Sequence, residues 1–433
     1  MKRVLLLATT TGYQIRSFGD AARTVGATLM LATDRCDQLD DPWADHAIAV
    51  RFLDEPHALA AAVAAGVDQK PDAVLAVGDQ PTVLAAHINQ ALGLSGNPPA
   101  AAARSRNKLQ AREAFSHAGL PTPDFQAVSL HDDPDVLAAA LSYPAVLKPL
   151  ALSGSRGVIR VNDREEFLAA FKRLRSLMTA PDIRLERDAA HDGALIESFV
   201  PGLEFAVEGV LTDGAFQLLA IFDKPDPLDG PFFEETIYVT PSQQPLLVQR
   251  RIRDAVVAAA HALGLRHGPV HAECRVNDQG VYVLEVAARP IGGLCAKSLR
   301  FERPGQQGAA ASLEEVLLRH AVGEDVSGYR RETRASGVMM IPIPARGIFR
   351  DVHGVENARA VAGVDSVHVT AKPDTLLVPL PEGRSYLGFI FAHGDDPADA
   401  EHALRDAHAQ LRFVIEREVP LALIPGPALG PEA

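Results

Sequence analysis

Apolar and polar positions alternate in blocks along residues 1–100, and these blocks predict strands and helices in turn. Short apolar runs predict strands at residues 4–8, 28–32, 47–50 and 73–77, and helical patterns end near residue 26 and cover residues 56–65 and 81–92. Strands that alternate with helices favour a parallel sheet wound on both faces, whose ligands lie beyond the carboxyl ends of the strands. Residues 9–12 and the pair Gly78–Asp79 would then lie at a ligand-facing edge, although Asp79 could equally be a helix cap before Pro81.

A hairpin that carries two isolated glutamates is the main candidate for chemistry. The β-rich runs 271–276 and 281–287 flank a polar turn, and each run has one glutamate, Glu273 or Glu285, in apolar company. A carboxylate is costly to bury unless a cation compensates it, so this pair and the following Arg289 suggest a magnesium–phosphate site. The alternative is an edge hairpin whose glutamates face water.

The register of this hairpin decides whether the two glutamates can share a metal ion. Side chains alternate faces along a strand, and a four-residue turn would pair Glu273 with Leu284, which puts the glutamates on opposite faces. A shared site therefore requires a turn of odd length or a β-bulge, and we predict one near Gly280. We expect His271 to face away from Glu273, as a core histidine at least as readily as a catalytic one.

Cationic side chains and a glycine-rich loop precede the hairpin. Lys108 and Arg112 are four residues apart on one face of a predicted helix, which is usually only a solvated face. Lys148 lies in a short apolar strand, and the loop 153–157 after it combines glycines with hydroxyl and guanidinium donors that could approach an anion. A mobile hairpin tip explains this loop nearly as well.

The pattern changes after about residue 331. Strands are predicted at residues 335–344, 364–371, 375–379 and 385–393, followed by a helix over residues 396–418 and a Pro/Gly-rich tail at residues 425–433. We interpret this part as a separate small α+β module. The length of 433 residues agrees with about three domains in total.

Composition and charge narrow the class of protein. The net charge of -13 argues against a general nucleic-acid or anionic-membrane surface, and the three cysteines, Cys36, Cys274 and Cys295, are too few and scattered for a disulfide framework or a cysteine zinc site. No apolar run is long enough to span a membrane. The Gly-x-Gly-x-x-Gly fingerprint is absent after the first strand, which disfavours nicotinamide or flavin binding. We expect a cytoplasmic protein whose partners are small molecules.

In this order, the two lysines, the glycine-rich loop, the Glu197–bend–Glu204 strand pair and the hairpin with Arg289 resemble the ATP-grasp superfamily over roughly residues 1–330. Residues 337–342 and 379–387 resemble the C-terminal module of bacterial L-amino-acid ligases. The resemblance implies an α/β and α+β multidomain protein. Its N-terminal doubly wound domain would cover residues 1–100, the ATP-grasp domain residues 101–330 and the C-terminal module residues 331–433.

The resemblance also implies a role for each matching residue. Arg289 and Lys148 would be catalytic, Glu273 and Glu285 would bind one or two Mg²⁺ ions, with Mn²⁺ as an alternative, and Arg289 would lie by the transferred phosphoryl group. ATP would be held by a larger set: Lys108 and Lys148 at the phosphates, Ser153, Gly154, Ser155 and Gly157 in the covering loop, Glu197, Phe199 and Val200 at adenine, and Glu204 at the ribose. Many ATP-grasp ligases have an asparagine ligand where this chain has Ala287, which leaves the number of metal ions open.

Substrate contacts are implied at four further positions. Glu235 and Tyr238 belong to a loop beside the amino-acid pocket, where Glu235 would hold an ammonium group or, in the alternative, lie in solvent. Gly292 and Gly293 leave space that hints at a larger first amino acid.

The implied activity is ATP-dependent ligation of two amino acids through an acyl phosphate, with release of ADP and phosphate. The alternatives are a ligase for a non-amino-acid carboxylate, a nucleotide-pathway ligase, and an ATP-binding regulator without catalysis. Homodimers are common in this superfamily, so a homodimer is one expectation. The amino-acid pair and the pathway are not specified by these motifs.

Overall fold

The computed structural model describes residues 1–9, 14–34, 47–52 and 55–417. Three sequence-based expectations therefore lie outside the described residues: most of the 9–12 turn, Cys36, and the 425–433 tail. Within the described ranges, no helix is long and apolar enough to cross a membrane.

The N-terminal part is a parallel sheet with helices, as predicted. Its elements are β1 (Arg3–Ala8), α1 (Ile15–Val25), β2 (Thr28–Thr33), β3 (Ala47–Ala49), α2 (Glu55–Gln69), β4 (Ala73–Val77) and α3 (Thr82–Leu92). The strand order is β3-β2-β1-β4, and every pairing is parallel. Because β1 and β4 are neighbours, residues after their carboxyl ends, including Asp79, meet at one edge of the sheet.

Five α-helices and a small antiparallel sheet follow. The elements are α4 (Pro99–Arg106), α5 (Lys108–His117), β5 (Phe125–Ser129), α6 (Pro134–Ala140), β6 (Ala145–Pro149), β7 (Ile159–Val161), α7 (Arg164–Met178), α8 (Pro181–Arg184) and β8 (Gly193–Ser198). The strand order is β5-β8-β6-β7, and Phe167, Phe171 and Leu174 of α7 pack in its core. The glycine-rich loop joins β6 to β7, so it projects from the edge of this sheet.

The central region supplies the strands of a larger antiparallel sheet. Its elements are β9 (Leu203–Thr212), β10 (Ala215–Asp223), β11 (Ile237–Thr240), α9 (Leu246–Leu263), β12 (Gly268–Asn277), β13 (Gly280–Ala287), β14 (Arg300–Arg303), β15 (Gln306–Ser312), α10 (Leu313–Ala321) and β16 (Arg330–Arg331). Helix α9 packs Ile252, Val256 and Leu263 on one face of this sheet. Strands β14, β15 and β16 form a separate three-stranded sheet.

The C-terminal region extends the same large sheet. Its elements are β17 (Ala335–Ile341), β18 (Gly347–His353), α11 (Val355–Arg359), β19 (Val364–Val369), β20 (Leu376–Leu377), β21 (Gly388–Gly394), α12 (Pro397–Ala409) and β22 (Arg412–Glu416). The eight-stranded order is β13-β12-β9-β10-β11-β17-β21-β19, so three C-terminal strands continue the central sheet through β11. The C-terminal strands thus share one sheet with the central region, and the expected boundary near residue 331 stays a prediction.

The predicted helix over residues 396–418 is wrong in its second half. Helix α12 starts with a capping box between Asp396 and Asp399 and ends at Ala409. The following run Phe413–Val414–Ile415 consists of one aromatic and two β-branched residues, which favour a strand, and β22 pairs there with β18. Strand pairing with a distant segment therefore ends the helix where side-chain periodicity alone would continue it.

Candidate functional site

A cavity of about 330 Å³ lies where the N-terminal edge, the small sheet, the large sheet and the C-terminal region meet. Almost every residue that the sequence singled out lines it: Lys108, Lys148, Ser153, Gly154, Ser155, Glu197, Phe199, Val200, Glu204, Glu235, Tyr238, Glu273, Glu285, Arg289, Gly292 and Gly293. Asp79, His271 and the C-terminal Tyr386 also line it. Residues from four regions of the chain therefore share one cavity.

Gly157 is the exception among the predicted residues. It is buried outside the cavity lining, and its N–H donates to the Pro381 carbonyl at 2.8 Å. A Cβ at this position, where φ is +76°, would lie 3.0 Å from Leu174 and 3.2 Å from Pro149. The packing of the loop against α7, rather than access to a ligand, accounts for glycine here.

The two hairpin glutamates lie directly opposite each other. Glu273 of β12 pairs with Glu285 of β13, whereas Cys274 pairs with Val283, so Leu284 is the extra residue of a β-bulge. The predicted register shift exists, but it lies beside the glutamates and not near Gly280. The turn itself keeps the expected register, with Val276 opposite Val281. Because the bulge restores the alternation, both carboxylates are on the same face of the sheet.

A row of charged side chains continues across this face onto β9. His271 pairs with Glu208 and Arg275 pairs with Glu204 in the β12–β9 register. His271 lies on the same face as Glu273, with its Nε2 3.6 Å from Glu273 Oε1, so the expected opposite orientation is wrong. Residues two apart in a strand share a face, which the sequence already implied.

Glu208 fixes both His271 and the loop after Arg289. Its Oε1 bonds His271 Nδ1, and its Oε2 accepts from the Ile291 N–H at 3.1 Å. Burial alone would lower the pKa of His271, but the Glu208 carboxylate outweighs burial and raises this pKa to about 9. His271 is therefore an imidazolium at neutral pH that contacts Glu208 on one side and Glu273 on the other.

Lys224 lies among three carboxylates, and no role was predicted for it. Its Nζ is 2.8 Å from Glu204, 2.5 Å from Glu235 and 3.2 Å from Glu273, and its side chain is only 2% exposed. One carboxylate oxygen from each glutamate lies within 4.8 Å of the others. Burial and the nearby Glu273 raise the pKa of Glu235 to about 7 despite Lys224. The lysine thus compensates a concentration of negative charge beside the predicted metal ligands.

Glu204 is shared between two cations. Its Oε1 bonds Lys224, and its Oε2 accepts from Arg275 Nε at 2.8 Å. Arg275 also donates to the Val200 carbonyl at 2.8 Å, and its guanidinium lies 5.2 Å from the centre of the Phe199 ring. The residues predicted around a nucleotide base and ribose are therefore held together by one arginine.

A second buried cluster joins Lys148, Glu197 and Arg112. Glu197 bonds Lys148 through Oε2 and accepts from Arg112 Nε through Oε1 at 2.8 Å. Burial would raise the pKa of Glu197, but Lys148 and Arg112 outweigh it and lower this pKa to about 2. Arg112 also donates to the Val283 carbonyl at 2.8 Å, so it is a buried link between α5 and β13. The reading of Arg112 as part of a solvated face is wrong.

Lys108, one turn before Arg112, lies at the hairpin end of the cavity. Its Nζ donates to the Leu152 carbonyl at 2.6 Å and lies 3.5 Å from Glu285 Oε2. The lysine therefore contacts both the approach to the glycine-rich loop and one predicted metal ligand. Arg156 of that loop instead contacts Glu382 and Asp182, away from the predicted nucleotide side.

Arg289 is held by the N-terminal sheet. Its Nε and Nη2 donate to the two carboxylate oxygens of Asp79 at 2.7 and 3.0 Å, and its Nη1 donates to the Pro290 carbonyl at 3.0 Å. Thr82, by contrast, bonds only the backbone carbonyl of Asp79. The Asp79 side chain therefore belongs to the cavity, and the helix-cap alternative is wrong. A planar bidentate pair of this kind fixes the orientation of the guanidinium.

Two family models match the chain. Residues 141–298 match the ATP-grasp domain, and residues 339–416 match the L-amino acid ligase C-terminal domain 2. The first match contains Lys148, Glu197, Glu273, Glu285 and Arg289. The second contains all three strands that extend the large sheet, apart from the first residues of β17.

Known proteins resemble the chain over different lengths. Alanine–anticapsin ligase of Bacillus subtilis is 29% identical over 46% of this chain, and the match spans 44% of that relative. Dapdiamide A synthase of Enterobacter agglomerans is 27% identical, with 79% of this chain and 78% of that protein covered. The chain thus spans less than half of the first relative and most of the second.

A solved structure extends the likeness to nearly the whole chain. The L-amino acid ligase from Bacillus licheniformis superposes with a TM-score of 0.81 at 26% identity, and 96% of this chain and 99% of that chain are covered. The likeness includes the N-terminal sheet that supplies Asp79, which neither family model reaches. The fold and both domain matches agree: the chain contains an ATP-grasp domain and the C-terminal domain of L-amino acid ligases.

Proposed function

We propose that this protein is an ATP-dependent carboxylate–amine ligase that joins two amino acids. The observation that carries the proposal is the placement of Glu273 opposite Glu285, on one face of the sheet, in a cavity that also contains Lys108 and Arg289. Paired carboxylates among fixed cations suit a polyphosphate with its metal ion better than a neutral ligand. Alanine–anticapsin ligase and dapdiamide A synthase are the relatives that motivate an amino-acid substrate.

The nucleotide would lie between the small sheet and the hairpin. Phe199 donates its N–H to the Pro144 carbonyl, and the Val200 carbonyl accepts from Arg275. Because those two groups already have partners, the Phe199 carbonyl and the Val200 N–H would make the backbone contacts with adenine, and Glu197 would lie beside them. Glu204 would hold the ribose, and Ser153, Gly154 and Ser155 would cover the phosphates near Lys108 and Lys148.

The hairpin carboxylates fit a divalent cation. Glu273 and Glu285 face each other, and oxygen atoms are the ligands that magnesium prefers. Burial would raise the pKa of Glu273, but Lys224 and His271 outweigh it and hold this pKa well below its usual range, so the carboxylate is ionised. Bound there, magnesium would supply charge neutralisation for the phosphates. Ala287 offers no side-chain oxygen, so the two glutamates are the ligands that we propose.

The remaining steps use the chain's own cations. A carboxylate oxygen of the first amino acid attacks the terminal phosphorus of ATP, and the bond from that phosphorus to ADP breaks. The amine of the second amino acid then attacks the acyl carbon, phosphate leaves, and the nitrogen loses a proton. Lys108 and Arg289 would neutralise the transferred phosphoryl group, and Arg289 would stabilise the oxyanion of the tetrahedral intermediate.

The amino-acid pocket would lie where Glu235, Tyr238 and Gly292 line the cavity. Glu235 and Tyr238 would contact the first amino acid, with the Glu235 carboxylate facing its ammonium group. A Cβ at Gly292 would meet no atom within 4 Å, whereas one at Gly293 would lie 3.2 Å from the Phe389 ring. Open space at Gly292 supports room for a sizeable side chain, and Phe389 would form an apolar wall.

An ADP-release screen over pairs of free amino acids, with mass detection of the product, tests this function. Release with one or more pairs and formation of the matching dipeptide would support it. Absence of release with every pair would refute the dipeptide activity, and release with other carboxylates would favour the broader ligase alternative. Binding of ATP with magnesium but no ADP with any substrate would favour the regulator.

Replacing Glu285 with alanine is expected to abolish ADP release, because one of two opposed metal ligands is lost. Calorimetric titration with MnATP, alongside the ADP assay, would show whether metal-dependent nucleotide binding is lost too. Asp278→Ala is the matched control, since Asp278 is an exposed carboxylate at the turn of the same hairpin. Near-normal turnover of Glu285→Ala would contradict the metal role.

Replacing Asp79 with asparagine is expected to lower kcat about tenfold with little change in the KM for ATP, because a charged bidentate partner of Arg289 is lost. Asp79 would be a positioning residue that acts through Arg289. Steady-state kinetics on Asp79→Asn, alone and combined with Arg289→Lys, measure this coupling, and the two effects should not add. Asp72→Asn, at the opposite end of β4, is the control. Additive effects would contradict the role of Asp79.

A further inference from the structure

The segment 379–386 of the C-terminal region reaches back to the glycine-rich loop. The Gly157 N–H donates to the Pro381 carbonyl at 2.8 Å, and Arg156 Nε donates to the Glu382 carbonyl at 2.9 Å. Two consecutive residues of the loop are thus bonded to two consecutive residues of this segment, although more than two hundred positions separate them. We call residues 379–386 the clamp segment.

The clamp segment is itself a tight turn. Gly383 donates its N–H to the Pro379 carbonyl at 2.8 Å. A Cβ at Gly383 would lie 1.8 Å from the Val378 carbonyl oxygen, so only glycine fits this close approach. The turn presents the carbonyls of Pro381 and Glu382 toward the loop in a fixed arrangement.

The Glu382 side chain attaches the clamp segment to helix α7. Its two oxygens bond Arg173 Nε and Nη2, the latter at 2.8 Å. The Arg173 guanidinium also lies 4.9 Å from the centre of the Phe232 ring, which limits its motion. Helix α7 is the helix that Gly157 packs against, through Leu174 and Leu177. Both the loop and the helix under it are therefore tied to Glu382.

A third contact involves Asp182. Arg156 Nη1 donates to Asp182 at 2.8 Å, and Arg384 of the clamp segment lies 4.0 Å from the same carboxylate. Arg156 therefore has partners on both sides, in the clamp segment and in α8. In this arrangement its side chain cannot reach the phosphate side of the loop.

The clamp segment ends in the cavity. Arg384, Ser385 and Tyr386 line it, and the Tyr386 ring packs edge-on against Phe389, at 6.1 Å between centres. Phe389 is the residue beside Gly293. The segment thus connects the loop predicted to cover the phosphates with the wall predicted for the amino-acid pocket.

We propose that the clamp segment holds the glycine-rich loop closed over the nucleotide, with Glu382 as the positioning residue that acts through Arg173. This proposal rests on the proposed function, since it takes the loop to cover ATP. It assigns the C-terminal domain a part in nucleotide retention in addition to its contribution to the pocket. The Glu382 pair is partly exposed, so its loss should loosen the loop without unfolding the chain.

Four variants test the clamp: Glu382→Arg, Arg173→Glu, the double exchange, and Glu356→Arg as control. Glu356 forms a more exposed ion pair with Arg359 in the C-terminal region, so its loss should have no effect on the loop. Trypsin cleaves after arginine, and Glu382 and Asp182 hold the Arg156 side chain, so cleavage there should be faster when the loop leaves the clamp segment. The rate of appearance of the fragment ending at Arg156, read by mass spectrometry, reports loop release without any need for activity.

Glu382→Arg and Arg173→Glu are each expected to speed cleavage at Arg156 and to raise the KM for ATP about fivefold, as the energy of a partly exposed ion pair allows. The kcat and the KM values for the amino acids should change less than twofold. The double exchange should restore slow cleavage and ATP affinity, whereas the control should match the unaltered protein in both. Thermal melting confirms that each variant is folded.

Unchanged cleavage at Arg156 in both single variants would overturn the clamp. A defect that the double exchange does not reverse would also overturn it, because the ion pair would then not be its source. If no substrate gives ADP, the proposed function fails while the cleavage readout still decides whether the segment holds the loop. In that case MgATP protection of Arg156 replaces KM as the measure of nucleotide retention.

Discussion

Replacing Arg289 with lysine is expected to lower kcat for amide-bond formation about a hundredfold, the size of effect that accompanies loss of one oxyanion donor. Lysine keeps the charge but lacks the planar fork that binds both oxygens of Asp79, so it cannot reproduce the orientation of the guanidinium. ATP affinity should change little, because the nucleotide contacts proposed at Glu197, Phe199 and Val200 lie elsewhere in the cavity. The loss would therefore fall on chemistry and not on binding.

Single-turnover ADP formation and dipeptide formation, measured together, would locate the defect. Slow dipeptide formation with retained MgATP binding is the expected pattern. Arg251→Lys on α9 is the matched control, because Arg251 is exposed and outside the cavity. A variant at position 289 with rates close to those of the unaltered protein would show that the guanidinium does not act at the reacting atoms.

The hairpin shows how far the sequence specifies the site. Residue types alone indicated two strands, a polar turn and two glutamates that need a cation, and strand alternation required a register shift for them to meet. The position of that shift was mispredicted, because the turn near Gly280 is regular and the extra residue is Leu284. A bulge has no residue-type signature at this site, so its position depends on which neighbours the two strands pack against.

Lys224 and Arg112 were missed for a different reason. Lys224 meets Glu204 because Asp223 pairs with Phe205 across β9 and β10, and Arg112 meets Glu197 across 85 positions of sequence. The local pattern of apolar and polar residues indicates neither contact, because each depends on how elements distant in sequence pack together. Each residue did carry a weak signal. Lys224 is a cation directly after a strand, and Arg112 is a cation one turn from Lys108, in a chain whose candidate site is rich in carboxylates.

In the C-terminal region the strands were predicted, but the sheet to which they belong was not. Strand patterns at residues 335–344, 364–371 and 385–393 correspond to β17, β19 and β21. Their membership of the same sheet as Glu273 and Glu285 was not predicted, because a strand's sequence does not identify its partner. This continuity fixes Phe389 and the clamp segment relative to the hairpin that carries Glu273 and Glu285.

Replacing Lys224 with methionine is expected to destabilise the protein by about 3–5 kcal/mol at pH 8 and to suppress ligation, because Glu204, Glu235 and Glu273 lose their shared cation. The loss should be smaller at pH 5.5. In the folded protein the pKa of Glu235 is raised from 4.5 to about 7. The folded state therefore binds a proton more tightly than the unfolded state, and the free energy of unfolding falls as the pH rises from 4.5 to 7. Without Lys224 this pKa rises further, and protonation at low pH relieves the repulsion.

Urea unfolding of Lys224→Met and of the unaltered protein at pH 5.5 and pH 8 measures this difference directly. The control is Lys172→Met on α7, where the lysine is exposed, and its stability should match that of the unaltered protein at both pH values. A stability loss that is the same at both pH values would mean that methionine disturbs packing and that the carboxylates are not the cause. Retained stability at pH 8 would show that Lys224 does not compensate the three glutamates, and the charge balance inferred beside the predicted metal ligands would then be wrong.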